Sequence, residues 1–178
     1  MASALLARLD ARDRALFTRL SVFETASRGA RVFWTAVTHL GGVVSSLTAA
    51  AFPLFTRGPL VPEARRALAT LVISHLIVQL VKRTVGRPRP ARVLGDVALV
   101  VEPDQFSFPS GHAAAAMSVA IVYSFAFPAL ASVLIPVAML VGVSRVCLGV
   151  HYPGDVLIGQ LIAALTAVPV VFGWWASI

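Results

Sequence analysis

Charged residues are scarce in this sequence of 178 residues. Asp, Glu, Lys and Arg make up only 13% of it, whereas ordinary soluble domains carry about 25%. Hydrophobic residues account for 58%, and the mean hydropathy is +0.84. These values exclude an ordinary soluble domain and indicate an integral membrane protein. The length suits a single domain.

Cysteine and lysine are nearly absent. Cys147 is the only cysteine, which excludes an internal disulfide. Lys82 is the only lysine, and the other 14 of the 15 basic residues are arginine. No cluster of carboxylates resembles a magnesium site, so we expect no metal cofactor.

The formal net charge of +7 would suggest a nucleic-acid partner in a soluble protein. Here the arginines flank apolar runs and do not form one basic face. That distribution favours control of membrane topology and contact with lipid headgroups. We therefore expect the lipid bilayer, and no nucleic acid, as a partner.

Residues 1–29 contain too many charges for a span and lack the apolar core of a secretory signal peptide. Drawn as a helix, they place leucines and Phe17 on one side and Arg8, Arg12 and Arg19 on a flank. This pattern predicts an interfacial amphipathic helix, in which Asp13 interrupts the apolar side. An unstructured basic tail is the alternative.

Five apolar runs follow, at residues 32–55, 67–81, 110–127, 129–150 and 155–176. They predict an all-α membrane bundle of about five transmembrane helices, with Trp174 and Trp175 as interface anchors. Together with the interfacial segment 1–29, the bundle at 30–178 would form one domain over residues 1–178. The run 67–81 is short for a span, and Ala113 to Ala116 would permit close helix packing.

Counting spans places Lys82, Ser110, Arg145 and Asp155 at the same membrane face. The polar connection 83–108 also lies there, and long connections of this kind are usually functional. Its acidic residues Glu102 and Asp104 are interpreted as solvated loop charges, with a place in a headgroup pocket as the alternative.

Three polar clusters therefore converge at this face. In the first, Lys82 offers a point charge and Arg89 a planar fork suited to phosphate oxygens, although basic residues after a span also set topology. The second is Pro109-Ser110-Gly111-His112. Ser110 is a natural N-cap and the helix N-terminus favours an anion, although His112 could be incidental to a capped helix.

The third cluster is the stretch from Ser144 to Asp155, which contains Arg145 and His151. His151 precedes Asp155 by four residues, so a turn would let the carboxylate accept the Nδ1 proton and leave Nε2 as a lone pair. Pro153 and Gly154 make a continuous helix unfavourable there. The carboxylate would orient the imidazole as it does in a catalytic triad, but here the histidine itself would be the nucleophile.

These motifs together resemble the complete tripartite signature of the type 2 phosphatidic acid phosphatase family, which shares its site with vanadium haloperoxidases. Lys82 precedes Arg89-Pro90 by six intervening residues, and Ser144-Arg145 precedes His151 by five. The resemblance covers Lys82 to Asp155 and every signature position. Many members have six spans, whereas here the interfacial segment replaces the first.

The resemblance implies a metal-independent lipid phosphatase. His151 would attack phosphorus to form a phosphohistidine, Asp155 would orient it, and His112 would protonate the leaving alkoxide and later activate water. The phosphoryl oxygens would be held by the remaining signature residues, which are Lys82, Arg89, Ser110, Gly111 and Arg145. A catalytically silent lipid or anion binder or transporter is the alternative, and haloperoxidase chemistry is disfavoured because those relatives are soluble.

The membrane face of this site follows from the other arginines. Nine lie on the same side of the membrane as the site and three lie on the opposite side. By the positive-inside rule, this asymmetry places the site at the cytoplasmic face of the membrane, which we expect to be a bacterial inner membrane. A cytoplasmic site favours phosphatidylglycerophosphate, phosphatidate or a polyprenyl-phosphosugar phosphate as substrate. It counts against undecaprenyl pyrophosphate, which remains the alternative substrate.

Overall fold

The computed structural model describes residues 2–21, 27–56, 58–95, 98–101 and 104–173, with side chains from Asp10 onward. All regular structure in these ranges is helical. The α-helices are α1 Ala2–Leu20, α2 Arg28–His39, α3 Val43–Ala51, α4 Val61–Val85, α5 Pro90–Leu94, α6 Gly111–Ala126, α7 Ala131–Cys147 and α8 Pro153–Phe172. Short 3₁₀ turns at Phe52–Thr56 and Pro128–Leu130 follow α3 and precede α7. The predicted all-α class is confirmed.

Helix α4 is longer than the predicted run 67–81. It spans 25 residues because Pro62 fixes the backbone of its first turn and Glu63 lies in that turn. Gly86 ends it in the left-handed region at φ 61°, where its N–H donates to the Lys82 carbonyl at 3.0 Å. The prediction of a short second span was therefore wrong, and Lys82 lies within the last turn of a long helix.

The predicted first span, 32–55, is broken. Helix α2 and the helical stretch Val43–Thr56 meet at an angle of 45° across residues 40–42. The break lies tightly against α6 and α7 at Gly41, where a Cβ would lie 2.7 Å from the His112 carbonyl oxygen and 2.5 Å from the Val141 side chain. Only glycine allows the break to approach the start of α6 this closely.

Within the described part of the chain, three helical stretches are long and apolar enough to cross a membrane, namely α4, Pro128–Cys147 and α8, and the bent α2–α3 pair would count as a fourth. Helix α6 is apolar but has only 16 residues, below the roughly 20 that a bilayer core requires. The five predicted runs all contain helix, although not all as simple spans. Trp174 and Trp175 lie outside the described residues.

Helix α6 lies between α4, α7 and α8 and contacts all three. Its small residues Ala113 and Ala114 are buried, as the alanine run predicts, and Ser118 shares a 2.9 Å hydrogen bond with Ser74 of α4. A Cβ at Gly159 of α8 would lie 2.5 Å from the Ser110 carbonyl oxygen. Small residues thus bring the start of α6 and the start of α8 together.

Helix α1 is present as predicted and docks at the same end of the bundle, against α7 and α8. Its Phe17 is fully buried and meets the Tyr152 ring edge-on, with 5.3 Å between ring centroids. Leu16 and Leu20 are about half exposed. The helix therefore covers the loop before α8 with one part of its apolar side and leaves another part available to lipid.

Candidate active site

The three polar clusters meet at a cavity of about 320 Å³. Its polar lining includes both signature histidines and two cations, while its apolar wall comes mainly from α3 and α4. The residues that line it are Gly41, Val43, Ser46, Leu47, Leu71, Val72, His75, Leu76, Gln79, Lys82, Arg89, Asp104, Gly111, His112, Ala115 and His151. The structure thus brings residues from all three motifs to one place.

His151 lies in the loop between α7 and α8. The loop turns at Gly149, whose φ is 78°, and the amides of Val150 and His151 both donate to the Arg145 carbonyl at 3.2 Å. Helix α8 then begins with Tyr152 as its N-cap, and the Tyr152 N–H donates to Asp155 Oδ2 at 2.8 Å. The predicted turn between His151 and Asp155 is therefore present.

The two ring nitrogens of His151 face different neighbours. Nδ1 lies 3.5 Å from Asp155 Oδ2, and Nε2 lies 3.3 Å from Arg89 Nη1. A carboxylate only accepts and a guanidinium only donates, so these neighbours favour the tautomer with the proton on Nδ1 and the lone pair on Nε2. The Nδ1 contact is long for a hydrogen bond, and such contacts often tighten when substrate binds.

His151 is buried among cations. Burial, followed by the positive charges of Arg145 and Arg89, holds the pKa of the His151 imidazole well below its usual value. The ring is therefore neutral near pH 7, which is the protonation state that a nucleophilic Nε2 requires.

Arg89 is fully buried and ties the first motif to the other polar segments. Its Nε donates to the Asp104 carbonyl at 2.7 Å, its Nη1 to the Val150 carbonyl at 2.9 Å, and its Nη2 to Asp104 Oδ1 at 2.9 Å. The fork thus joins the loop after α4 to the loop that carries His151. Arg89 lines the cavity, as its predicted phosphate-binding role requires.

The structure corrects the interpretation of Asp104 as a solvated loop charge. Its carboxylate accepts from Lys82 Nζ at 2.9 and 3.1 Å and lines the cavity, so it is no simple solvated charge. Burial alone would raise the pKa of Asp104, but the hydrogen bonds and charges of Lys82 and Arg89 outweigh burial and lower it. Glu102 lies outside the described residues.

The second motif opens α6 as predicted. Ser110 is the N-cap, and its Oγ accepts from the Ala113 N–H at 3.5 Å. Its own N–H donates to the Asp155 carbonyl at 2.9 Å, which links the second motif to the third. Gly111 and His112 line the cavity, so the amino end of α6 faces the same space as His151.

Arg145 is placed differently from the other predicted phosphate ligands. Its guanidinium is buried, and Nη1 donates to Thr38 Oγ1 of α2 at 2.7 Å. It does not belong to the cavity lining described above, and neither does Ser110. Its positive charge nevertheless lies close enough to lower the pKa of His151.

Arg87 is a residue of the site that sequence reasoning missed. It was counted among the topology-setting arginines, yet its Nη1 donates to Asp155 Oδ1 at 2.7 Å. Nη1 also donates to Asp13 Oδ2 and Nη2 to Asp10 Oδ1, each at 2.7 Å. The signal was Asp13 on the apolar side of α1, since an acid in that position needs a buried partner.

Comparison with known proteins agrees with this geometry. Residues 63–177 match the model of the PAP2 superfamily. The chain belongs to this superfamily. The matched segment holds every motif residue described above.

A relative of this PAP2 member is the decaprenylphosphoryl-5-phosphoribose phosphatase of Mycobacterium tuberculosis. It is 40% identical over 110 residues, which cover 58% of this chain and 59% of the relative. The chain thus matches about three fifths of that protein's length.

Two crystal structures share the fold. Aquifex aeolicus LpxE superposes with a TM-score of 0.76 at 28% identity, covering 88% of this chain and 92% of that one. The PAP2-type phosphatidylglycerolphosphate phosphatase of Bacillus subtilis superposes with a TM-score of 0.73 at 25% identity, covering 92% and 84%. These likenesses extend beyond the motifs to most of the bundle.

Proposed function

We propose that this PAP2 member is a metal-independent phosphatase that removes the terminal phosphate of a membrane lipid through a phosphohistidine. The observation that carries the proposal is the placement of His151. Its Nε2 lone pair lies beside a cationic cavity, while a buried carboxylate faces Nδ1. A site that only binds anions has no need of a neutral, oriented imidazole among its cations.

In the first step Nε2 of His151 attacks phosphorus, and the bond from phosphorus to the lipid oxygen breaks. The departing alkoxide takes a proton from His112, which enters the step as an imidazolium stabilised by the negative charge of the bound phosphate. Lys82, Arg89 and the amino end of α6 at Gly111 offset the charge of the phosphoryl oxygens. Asp155 stabilises the positive charge that forms on His151.

In the second step His112 takes a proton from water, and the water oxygen attacks phosphorus. The bond between phosphorus and Nε2 breaks, and inorganic phosphate leaves. Arg145 contributes through its charge near His151 and, after movement of its side chain, as a direct donor to phosphate. Ser110 contributes by capping the helix whose amino end faces the phosphate.

The cavity wall supports a lipid as the substrate. Leu47 of α3 and Leu71, Val72 and Leu76 of α4 line the cavity, and the three residues of α4 precede Lys82 on that helix by 6 to 11 positions. An acyl or prenyl chain would lie along this wall with its phosphate at Lys82 and Arg89. The proposed class comprises phosphatidylglycerophosphate, phosphatidate and polyprenyl-phosphosugar phosphates, and it fits the names of the decaprenylphosphoryl-5-phosphoribose phosphatase and the phosphatidylglycerolphosphate phosphatase described above.

We also propose that the site lies at the cytoplasmic face of an inner membrane. Nine arginines outside the proposed phosphate ligands lie on the side of the site, against three on the other side. Arg87 is engaged by carboxylates and contributes less to this asymmetry, but the remaining eight preserve its sign.

The experiment that tests the function is phosphate release by the purified full chain on a panel of lipid phosphates, with and without a chelator. His151→Ala should abolish release from every lipid, and wild type should accumulate an acid-labile, base-stable phosphoenzyme that the variant lacks. His39→Ala is the matched control, because His39 is an exposed histidine at the end of α2.

Retention of activity by His151→Ala would contradict the phosphohistidine, and loss of wild-type activity with chelator would contradict the metal-free mechanism. Saturable lipid binding with no turnover by wild type would support the alternative, a silent binder.

A further inference from the structure

The turn that carries His151 is covered by α1. Asp13 of α1 accepts the Gly154 N–H through Oδ1 at 2.7 Å and an Arg87 N–H through Oδ2 at 2.7 Å. The Asp13 side chain is only 13% exposed. A Cβ at Gly154 would lie 2.9 Å from Asp13 Oδ2, so the close approach uses the glycine. Asp13 thus joins α1 to the first residues of α8.

Arg87 joins this contact to the Asp155 carboxylate. One nitrogen, Nη1, donates to both Asp13 and Asp155 at 2.7 Å. Asp155 is fully buried, and its two oxygens have distinct partners. Oδ1 accepts from Arg87, and Oδ2 accepts the Tyr152 N–H while lying 3.5 Å from His151 Nδ1. Arg87 and the Tyr152 N–H together therefore fix the rotation of the carboxylate that faces His151.

Aromatic contacts hold the same arrangement. The Arg87 guanidinium lies 4.1 Å from the centroid of the Tyr152 ring, and Phe17 of α1 packs against that ring from another side. A guanidinium at this distance from an aromatic face is a favourable cation–π contact. The Arg87 side chain, 15% exposed, is thus restrained in both position and plane.

We propose that Arg87 and Asp13 are positioning residues that orient His151 through Asp155, so that α1 forms part of the active site. The inference rests on the proposed function and adds two residues that are not signature positions, since Arg87 is one of the six residues between Lys82 and Arg89 and Asp13 belongs to α1. Neither lines the cavity. Their effect is on the chemical step, because they set the direction of the acceptor for the Nδ1 proton.

The alternative role is purely structural, with Arg87 and Asp13 serving only to attach α1. The two roles predict different kinetics. A positioning role lowers kcat and leaves the affinity for phosphate unchanged, whereas loss of folded protein lowers the active fraction and the melting temperature. The experiment measures each of these quantities separately.

The variants are Arg87→Gln, Arg87→Lys, Asp13→Asn and the double variant Arg87→Gln/Asp13→Asn, in the full chain. Arg83→Ala is the control, because Arg83 is an exposed arginine at the end of α4. The readouts are kcat and KM for one lipid phosphate, inhibition by inorganic phosphate, and thermal unfolding in detergent.

We expect Arg87→Gln and Asp13→Asn to lower kcat by about 10- to 100-fold, the range found when the partners of metal-bound histidines are removed. KM and the phosphate inhibition constant should stay within about 3-fold of wild type, because these residues do not contact the bound anion. Arg87→Lys should retain more kcat than Arg87→Gln. The double variant should lose little more than the worse single variant, because both changes act through Asp155.

An unchanged kcat in a folded Asp13→Asn variant would overturn the proposal, as would additive losses accompanied by a matching fall in melting temperature. If Arg87→Gln does not fold, Asp13→Asn still decides, since it replaces a carboxylate with an amide of the same shape. A fully active His151→Ala in the same assays would refute the proposed function itself. An inactive His151→Ala beside unaffected Arg87 and Asp13 variants would refute only the positioning role.

Discussion

Arg87 and Arg89 are two residues apart in one motif, yet they serve opposite sides of the site. Arg87 faces α1 and the start of α8 and donates to three carboxylates. Arg89 is buried beside the cavity and shares one carboxylate, that of Asp104, with Lys82. The segment between them pairs with the chain before α6, where Pro88 and Phe106 form an isolated bridge.

The difference lies in the local charge. On the side that faces α1, Arg87 and Arg14 form ion pairs with the carboxylates of Asp10, Asp13 and Asp155. The three acids outnumber the two bases, so each guanidinium there has a carboxylate partner. Among the described residues that line the cavity, the two bases Lys82 and Arg89 outnumber the one acid, Asp104.

An excess of cations in a partly buried space attracts an anion. The same residue type therefore fixes structure on one side and, in the proposed mechanism, binds the phosphate on the other. Residues i and i+2 of a regular strand point to the same face, so the different directions of Arg87 and Arg89 show that the segment between them is not a regular strand.

Arg89→Ala should give the largest effect among the variants that test this comparison. It removes a donor fork from the cavity, and loss of one preorganised donor to a developing charge costs about 100- to 1,000-fold in rate. Unlike Arg87→Gln, it should also raise KM and the phosphate inhibition constant. The measurement is kcat, KM and phosphate inhibition on the same lipid, with Arg92→Ala, an exposed arginine three residues on, as control.

Because Arg89 also holds the carbonyls of Asp104 and Val150, Arg89→Lys serves as a second variant that keeps the charge. It should fold and still lose at least 10-fold in kcat/KM, since an ammonium cannot reproduce the planar fork. An Arg89→Lys enzyme with wild-type kinetics would show that charge alone suffices and that the geometry of the fork is irrelevant.

Asp104→Asn should have a smaller effect and in the opposite direction. The Asp104 carboxylate, 34% exposed, neutralises part of the charge of Lys82 and Arg89, where a phosphate would bind. Asparagine keeps an oxygen that can accept the Phe106 N–H but removes the negative charge. We expect inorganic phosphate to inhibit the variant about 3- to 10-fold more strongly, as one nearby charge is removed in a partly screened site.

The pH dependence of this difference in phosphate inhibition follows from the pKa of Asp104, which the cations lower from its ordinary 3.8. A carboxyl with a lowered pKa keeps its ion pairs above its ordinary pKa and loses them only as the pH falls through the lowered value. The ratio of wild-type to variant inhibition constants should therefore stay above 1 throughout pH 5 to pH 8, and it should rise across this range as inorganic phosphate loses its second proton and gains charge. A ratio that collapses in this range would contradict an ionised Asp104.

The membrane class, the three motifs and their convergence could be predicted from the sequence, because apolar runs and motif spacing are local patterns. The break at Gly41 could not, since it depends on the His112 carbonyl and the Val141 side chain, which are distant in sequence. Arg87 was missed for a related reason. Its partners Asp10, Asp13 and Asp155 come from both ends of the chain, and no spacing rule connects them.

The contacts of Arg145 and Asp104 could not be predicted from the sequence either. The place of Arg145 in the motif predicts a phosphate ligand, and this stays a prediction; the side chain donates to Thr38 and lies close enough to His151 to lower the pKa of that imidazole. Asp104 had the reverse outcome, since a loop acid interpreted as solvated lies at the cavity. Composition describes how polar a segment is, but tertiary contacts decide which of its polar side chains turn inward.

Asp10→Asn should give the smallest effect, and it tests whether contact or mere proximity of charge matters on the Arg87 side. Burial alone would raise the pKa of Asp10, but hydrogen bonds from Arg14 and Arg87 lower it, so the group is ionised near pH 7. The Asp10 side chain is 40% exposed, and exposed ion pairs contribute little because water and salt screen them. Asp10 also lacks the contact with Gly154 that Asp13 makes.

We therefore expect kcat within about 3-fold of wild type, the scale of a single exposed ion pair, beside a much larger loss in Asp13→Asn. Equal losses in the two variants would mean that α1 acts through its summed charge, and raising the salt concentration would then reproduce both losses in the wild-type enzyme.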